Sequence, residues 1–241
     1  KAKETEKENL GSALSEKEKE ITGIRTEQQI VKSRAEHLLS MSENYEDYAE
    51  GVKYLVKEIK EKNLITILDS IEVEDKFKLA IETALGEVSN YLIADDSKNV
   101  DDYISKLAEH KKGKVTFILN DVLNYKTFDG LPFLDNEPDF IGTKGVYGFA
   151  DKYVKCVKDK YLLLMKYILD EYVIVDNTAT AKKLAEDNYY KFITLDGDIV
   201  TKGFIRSGGE VNLESVKLGR QKKIDEFILK AEVLGNIISE K

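Results

Sequence analysis

Few residues in this chain could do chemistry, and they are thinly spread. Asp196 and Asp198 flank Gly197, and two carboxylates at that spacing can hold magnesium for phosphoryl transfer. The same tripeptide suits a tight turn between strands, because Asp and Gly tolerate its dihedrals, and the turn is the preferred reading. His37 and His110 are the only histidines, one on a helical stretch and one in a basic loop, with no obvious catalytic partner. Cys156 is the single cysteine, which excludes a disulfide framework or a cysteine metal site and fits a reducing cytoplasm. No Gly-x-x-x-x-Gly-Lys-Ser/Thr loop is present to cradle phosphates. Asp69, Asp95 and Asp176 read as strand-end or helix-capping residues.

Charge sets a second limit. Lys and Arg number 37 against 45 Asp and Glu, a net charge of −8, so any nucleic-acid contact must come from a local patch. Three basic clusters exist. The first is His110-Lys111-Lys112-Gly113-Lys114; the second is Lys152, Lys155, Lys158 and Lys160; the third is Lys217, Arg220, Lys222 and Lys223. Each could contact phosphates without reading sequence. Each could equally be a solvated face with i,i+4 pairs.

The elements that must position these residues follow from periodicity. Leu10, Leu14, Lys17, Ile21, Ile24, Gln28, Val31, Ala35 and Leu38 alternate in steps of four and three, and Ile224, Phe227, Ala231, Leu234 and Ile238 do the same. A stripe of that period wants a partner helix, and the two ends of the chain are the natural partners, folded back antiparallel. Gly11 and Gly23 weaken the first stretch by about 1 kcal/mol each. The polar seam residues Lys17 and Gln28 are expected to set register.

Between the stripes lies an internal repeat. Glu74-Asp-Lys-Phe77, Asn90-Tyr-Leu-Ile-Ala-Asp95, Lys106-Leu-Ala-Glu109 and Val115–Asp121 recur as Lys158-Asp-Lys-Tyr161, Glu171-Tyr-Val-Ile-Val-Asp176, Lys183-Leu-Ala-Glu186 and Lys191–Gly197. Each copy reads as helix, strand, helix, strand. The continuously apolar strands predict sheets covered on both faces. Both prolines, Pro132 and Pro138, lie in the loop-rich stretch 122–144. No apolar run is long enough to cross a membrane, and the N-terminus lacks a signal-peptide core. Starting mid-helix without Met, the chain reads as cut from a longer protein.

Four segments carry a resemblance. Leu195-Asp-Gly-Asp-Ile-Val200 followed by Lys202-Gly-Phe-Ile-Arg-Ser-Gly-Gly209 resembles the closing segment of the hinge domain of SMC (structural maintenance of chromosomes) proteins. Gly145-Val-Tyr-Gly-Phe-Ala-Asp-Lys-Tyr-Val154 resembles the segment that opens its second subdomain. Leu218-Gly-Arg-Gln-Lys-Lys-Ile224 resembles the start of the returning coil in bacterial members. Ser207-Gly-Gly-Glu210 after Arg206 is also similar to the signature of ABC-type ATPases, a weak likeness without a phosphate loop. The acidic stretch Asp129–Asp139 departs from the small linker residues of the family.

The resemblance implies an α+β (mixed α/β) fold: two pseudo-repeated subdomains with mixed sheets and helices, flanked by an intramolecular antiparallel coiled coil. Its expected parts are an arm at 1–48, subdomain I at 49–128, a linker at 129–144, subdomain II at 145–212 and the returning arm at 213–241. It implies a non-catalytic hinge, from a prokaryotic homodimeric protein, that joins a second copy of itself and contacts DNA weakly. Gly145, Gly148, Gly203, Gly208 and Gly209 match the places where sheet edges meet across the dimer. The physical logic is that an edge strand offers unpaired backbone groups and glycine allows close approach; the alternative is that these glycines serve only turns with positive φ. Lys217, Arg220, Lys222 and Lys223, with Lys111, Lys112 and Lys114, are the DNA-contact candidates. No cofactor or metal is expected in this fragment. ATP and magnesium belong to the heads of the full-length ATPase, as do kleisin-type subunits, and the whole is expected in the cytoplasm on the nucleoid, with no membrane contact. Two rivals remain: a coiled-coil adaptor with a partner-binding insert, and a small metal-dependent α/β enzyme built on Asp196 and Asp198.

Overall fold

A computed structural model describes residues 2–60, 63–126, 138–203, 206–209 and 216–240. Gly130, Pro132, Phe204, Ile205, Glu210 and Leu213, and with them most of the expected linker and the expected start of the second arm, lie outside the described residues. The chain divides into two compact units, 1–46 with 220–241, and 47–219. Helix α1 spans Ala2–Glu43, running through Gly11 and Gly23 without a break.

The second unit contains the repeat, and each copy is longer than its sequence signal. The first copy holds α2 (Glu50–Lys53), continued by a π turn, then β1 (Leu64–Thr66), β2 (Ile71–Val73), α3 (Lys78–Leu85), β3 (Leu92–Ala94), α4 (Val100–Glu109), β4 (Phe117–Leu119) and α5 (Asn120–Lys126). The second holds β5 (Val146–Phe149), β6 (Val154–Cys156), α6 (Leu162–Leu169), β7 (Tyr172–Val175), α7 (Thr178–Ala185), β8 (Lys191–Thr194), β9 (Ile199–Val200) and β10 (Arg206–Ser207). The helix–strand–helix–strand pattern appears in both copies, preceded in each by two short strands that period-2 reasoning over three or four residues cannot resolve.

The pairing repeats too. β3 runs parallel to β4, Leu92 opposite Phe117, and β7 runs parallel to β8, Val173 opposite Phe192. β1 lies antiparallel to β3, and β5 antiparallel to β7. The sheets are β1-β3-β4 and β10-β9-β8-β7-β5, and the copies are joined by the antiparallel pair β2-β6, which sets Ile71 opposite Cys156 and Val73 opposite Val154.

One core is shared between copies, and equivalent residues fill it: Phe77 with Tyr161, Ile81 with Met165, Leu85 with Leu169, Ile93 with Ile174. Each sheet then buries its other face in a core of its own. Leu92 and Ala94 pack with Tyr103 and Leu107, while Val173 and Val175 pack with Ala181 and Phe192. Ile93 and Ile174 point inward and their neighbours outward, which is why these strands are apolar at every position.

The caps correct one expectation. Asp96, not Asp95, accepts the Lys98 amide at 3.0 Å. Asn177, not Asp176, caps α7 by accepting the Thr180 amide at 2.9 Å. The extended dihedrals an N-cap requires fall one residue beyond each strand-end Asp. Asp69 lies in a one-turn 3-10 helix, accepting the Thr66 hydroxyl at 2.7 Å.

The remaining helix, α8 (Arg220–Glu240), packs antiparallel on α1 through Ile24, Val31, Phe227, Ala231 and Leu234. Gln28 donates to the Ala231 carbonyl at 2.9 Å. α1 has 42 residues and α8 has 21, lengths of about 63 and 32 Å at 1.5 Å per residue. Leu10 and Leu14, near the N-terminal end of α1, are 65% and 62% exposed.

Candidate functional site

The five-stranded sheet ends, among the described residues, in β10 on one side and β5 on the other. All five glycines singled out by sequence lie in or beside these two strands. β10 is positioned by a hairpin that begins at Thr194. The Gly197 amide donates to the Thr194 carbonyl at 3.0 Å, the Asp198 amide to the Thr194 hydroxyl at 3.0 Å, and the Thr194 amide to the Asp198 carbonyl at 2.9 Å. Gly197 takes φ +82°, which a residue with a side chain rarely adopts. Asp196-Gly-Asp198 is thus a turn. The Asp198 carboxylate accepts the Thr178 hydroxyl at 3.0 Å, and its other oxygen occupies the space a side chain on Gly208 would need. Among the described residues no group of three or more His, Cys, Asp or Glu is placed to hold a metal.

From that turn β9 leads back to β10, with Arg206 opposite Val200 and Ser207 opposite Ile199. Ser207, Gly208 and Gly209 are exposed at the rim. Gly203 and Gly209 have positive φ, and among the described residues nothing lies within 4 Å of where a Cβ on either would sit. Tyr189, just ahead of β8, is exposed with the Lys202 ammonium 4.3 Å from its ring centre. Sequence reasoning passed over it, because a Tyr between Asn188 and Tyr190 carries no periodic signal.

At the opposite rim, the Gly145 carbonyl accepts the Asp176 amide at 2.8 Å, and a Cβ on Gly145 would sit 2.9 Å from the Asp176 carboxylate. A bulge between Val146 and Gly148 shifts the register against β7. The Tyr147 carbonyl there accepts the Tyr153 hydroxyl at 2.6 Å. A bulge with a satisfied carbonyl blunts an edge, so the two rims differ: β5 is irregular and partly capped, β10 short and exposed. Thr178 and Tyr153 support the two rims; Thr178 carried no sequence signal, and Tyr153 only its place in the Gly145–Val154 segment.

The basic clusters are not equivalent once folded. Lys111 and Lys114 are exposed, while Lys112 pairs with Glu50 at 3.2 Å and Glu58 at 3.5 Å, and its hydrogen bond to Glu50 raises its pKa. The Lys217 ammonium donates to the Asp47 carbonyl and to Asn90, both at 3.0 Å, and lies over the Tyr48 ring. Glu82 holds the same segment by accepting the Lys217 and Leu218 amides at 2.8 Å. In the helical unit Arg220 is buried, Lys223 half-buried and Lys222 exposed, 3.9 Å from Glu226. In the second cluster Lys155 faces Glu72 and Lys160 bonds Asp95. The His110 ring nitrogen lies 2.9 Å from the Lys106 carbonyl, so the ring caps the end of α4.

Comparison with known proteins places this geometry. The family model described as the SMC proteins Flexible Hinge Domain matches residues 61–185. A chromosome partition protein Smc of Halothermothrix orenii is 31% identical over 202 residues, covering 82% of this chain and 16% of that protein. The Smc of Clostridium kluyveri is 26% identical over 234 residues, 92% of this chain and 19% of that protein. The chain thus spans under a fifth of the length of these curated relatives. Among solved structures, an asymmetric dimer of the Geobacillus stearothermophilus SMC hinge domain shares the fold with a TM-score of 0.64 at 23% identity, over 91% of this chain and 88% of that one. The Pyrococcus furiosus Smc hinge domain with an extended coiled coil gives 0.53 at 18% identity, over 92% and 80%.

Proposed function

The chain belongs to the family of SMC flexible hinge domains, and from that premise we propose that it joins two copies of a chromosome partition protein through the rims of its five-stranded sheet. The observation that supports this reading most is the exposed Ser207-Gly208-Gly209 rim beside β10, where missing side chains leave the backbone approachable. Gly145, Gly148 and Gly203 complete the two rims. The role is architectural: the rims join, and α1 with α8 begin the arms. In the full-length protein the arms lead to heads that bind ATP and magnesium and engage kleisin-type subunits, and the assembly works on the nucleoid in the cytoplasm.

Weak DNA contact is part of the proposal. Lys111 and Lys114 in one unit, and Lys222 and Lys223 in the helical unit, are the cations assigned to phosphates, while Lys112 and Lys217 are held by protein partners and Arg220 is buried. Sedimentation of the chain and of a Gly209→Val variant tests both parts. The variant is expected to shift toward monomer while keeping its circular dichroism, with a lower melting temperature because Gly209 has positive φ. A short duplex is expected to co-sediment with the unaltered chain at low salt and to be released as salt rises. A variant that stays associated like the parent removes the β10 rim from the interface, and salt-independent or absent duplex binding removes the DNA role.

A further inference from the structure

The parallel strands β3 and β4 end side by side, Ala94 opposite Leu119. The next residues are Asp95 on one strand and Asn120-Asp121 on the other. Asn120 is only 3% exposed, and its Oδ1 is buried without a hydrogen-bond partner. The same holds for Asp95 Oδ1 and Asp121 Oδ1. Their companion oxygens are engaged: Asp95 Oδ2 accepts the Lys160 ammonium and, at 3.3 Å, the Tyr161 hydroxyl. Asp121 Oδ2 accepts the Ser97 amide at 3.1 Å and its hydroxyl at 2.8 Å, which ties Asp121 to the turn that follows Asp95. A buried acceptor without a donor is destabilising, and here three belong to one strand end.

The second copy of the repeat supplies an internal control. Asp176 stands where Asp95 does, and its Oδ1 accepts the Thr180 hydroxyl at 2.7 Å. Leu195 stands where Asn120 does, so the fold itself requires no polar group there. The unsatisfied oxygens are peculiar to the first copy. Of the two carboxylates, Asp95 has the Lys160 ammonium as an ion-pair partner. Ligands of α/β sheets bind outside the carboxyl ends of parallel strands, and hard divalent cations take carboxylate and amide oxygens.

We propose that the carboxyl ends of β3 and β4 bind a hard divalent cation, calcium or magnesium, through Asp95 Oδ1, Asn120 Oδ1 and Asp121 Oδ1. The chain has no Trp, and Tyr161 hydrogen-bonds the site, so bound terbium would be sensitised by tyrosine with little background. The test is terbium luminescence on the chain and on Asn120→Leu and Asp121→Asn. The first installs the second copy's residue, and the second retains acceptors for Ser97. Saturable emission is expected, displaced by calcium or magnesium and weakened by at least about tenfold in both variants, with circular dichroism confirming that each is folded. Emission unchanged in Asn120→Leu, or no saturable binding by the unaltered chain, overturns the proposal. The second outcome leaves a buried water as the partner of these oxygens.

Discussion

Asp198 does three things: its backbone closes a turn with Thr194, and its carboxylate holds Thr178 and fills the space beside Gly208. That combination explains why a motif with the composition of a metal site is a structural pivot. The turn was legible because Asp-Gly-Asp has few other uses between strands; the contact with Gly208 was not, because it depends on how β9 and β10 pair. The caps at Asp96 and Asn177 show the limit of single-residue reading, since Asp95 and Asp176 offer the same chemistry one position earlier. Asp170 gives a prediction at this scale. Burial, reinforced by Glu171 and Asp151 and opposed by Lys166, raises its carboxyl. A carboxyl raised in the folded state costs nothing below its unfolded pKa of about 3.9, and costs stability once pH has climbed through the folded value. Asp170→Asn is expected to melt higher than the parent at neutral pH, with the gap shrinking as the solution is acidified toward the unfolded value. Thermal melts across that range check it, and a gap that widens on acidification contradicts it.

The coil shows the same contrast at the scale of elements. The heptad stripe was readable, and so was Gln28 as a polar seam residue. What it bonds was not, because the register between two distant segments is a tertiary fact. A Cβ on Gly235 would sit 2.8 Å from the Gln28 amide nitrogen, so this glycine makes room for the bond to Ala231. Gly to Ala in a helix ordinarily gains about 1 kcal/mol. Gly235→Ala is expected to gain less, because it displaces Gln28, and to recover the full gain when combined with Gln28→Ala. Helical melts of the two single variants and the pair form the cycle that measures this; additive effects would show that Gln28 and Gly235 are uncoupled.

For the molecule as a whole, the repeat was the most legible feature, since two copies of one pattern imply two subdomains. The ladder that joins them, β2 with β6, was missed because three-residue strands have no measurable period. The placement of the glycines at opposite rims of one sheet was equally hidden, for strand order is set by packing and not by sequence order. Those rims carry the central claim, that this chain is a joint between two copies. Its solution mass by sedimentation equilibrium at micromolar concentration tests that claim most directly. The account predicts twice the chain mass of 27.4 kDa; a stable species at 27.4 kDa would contradict it.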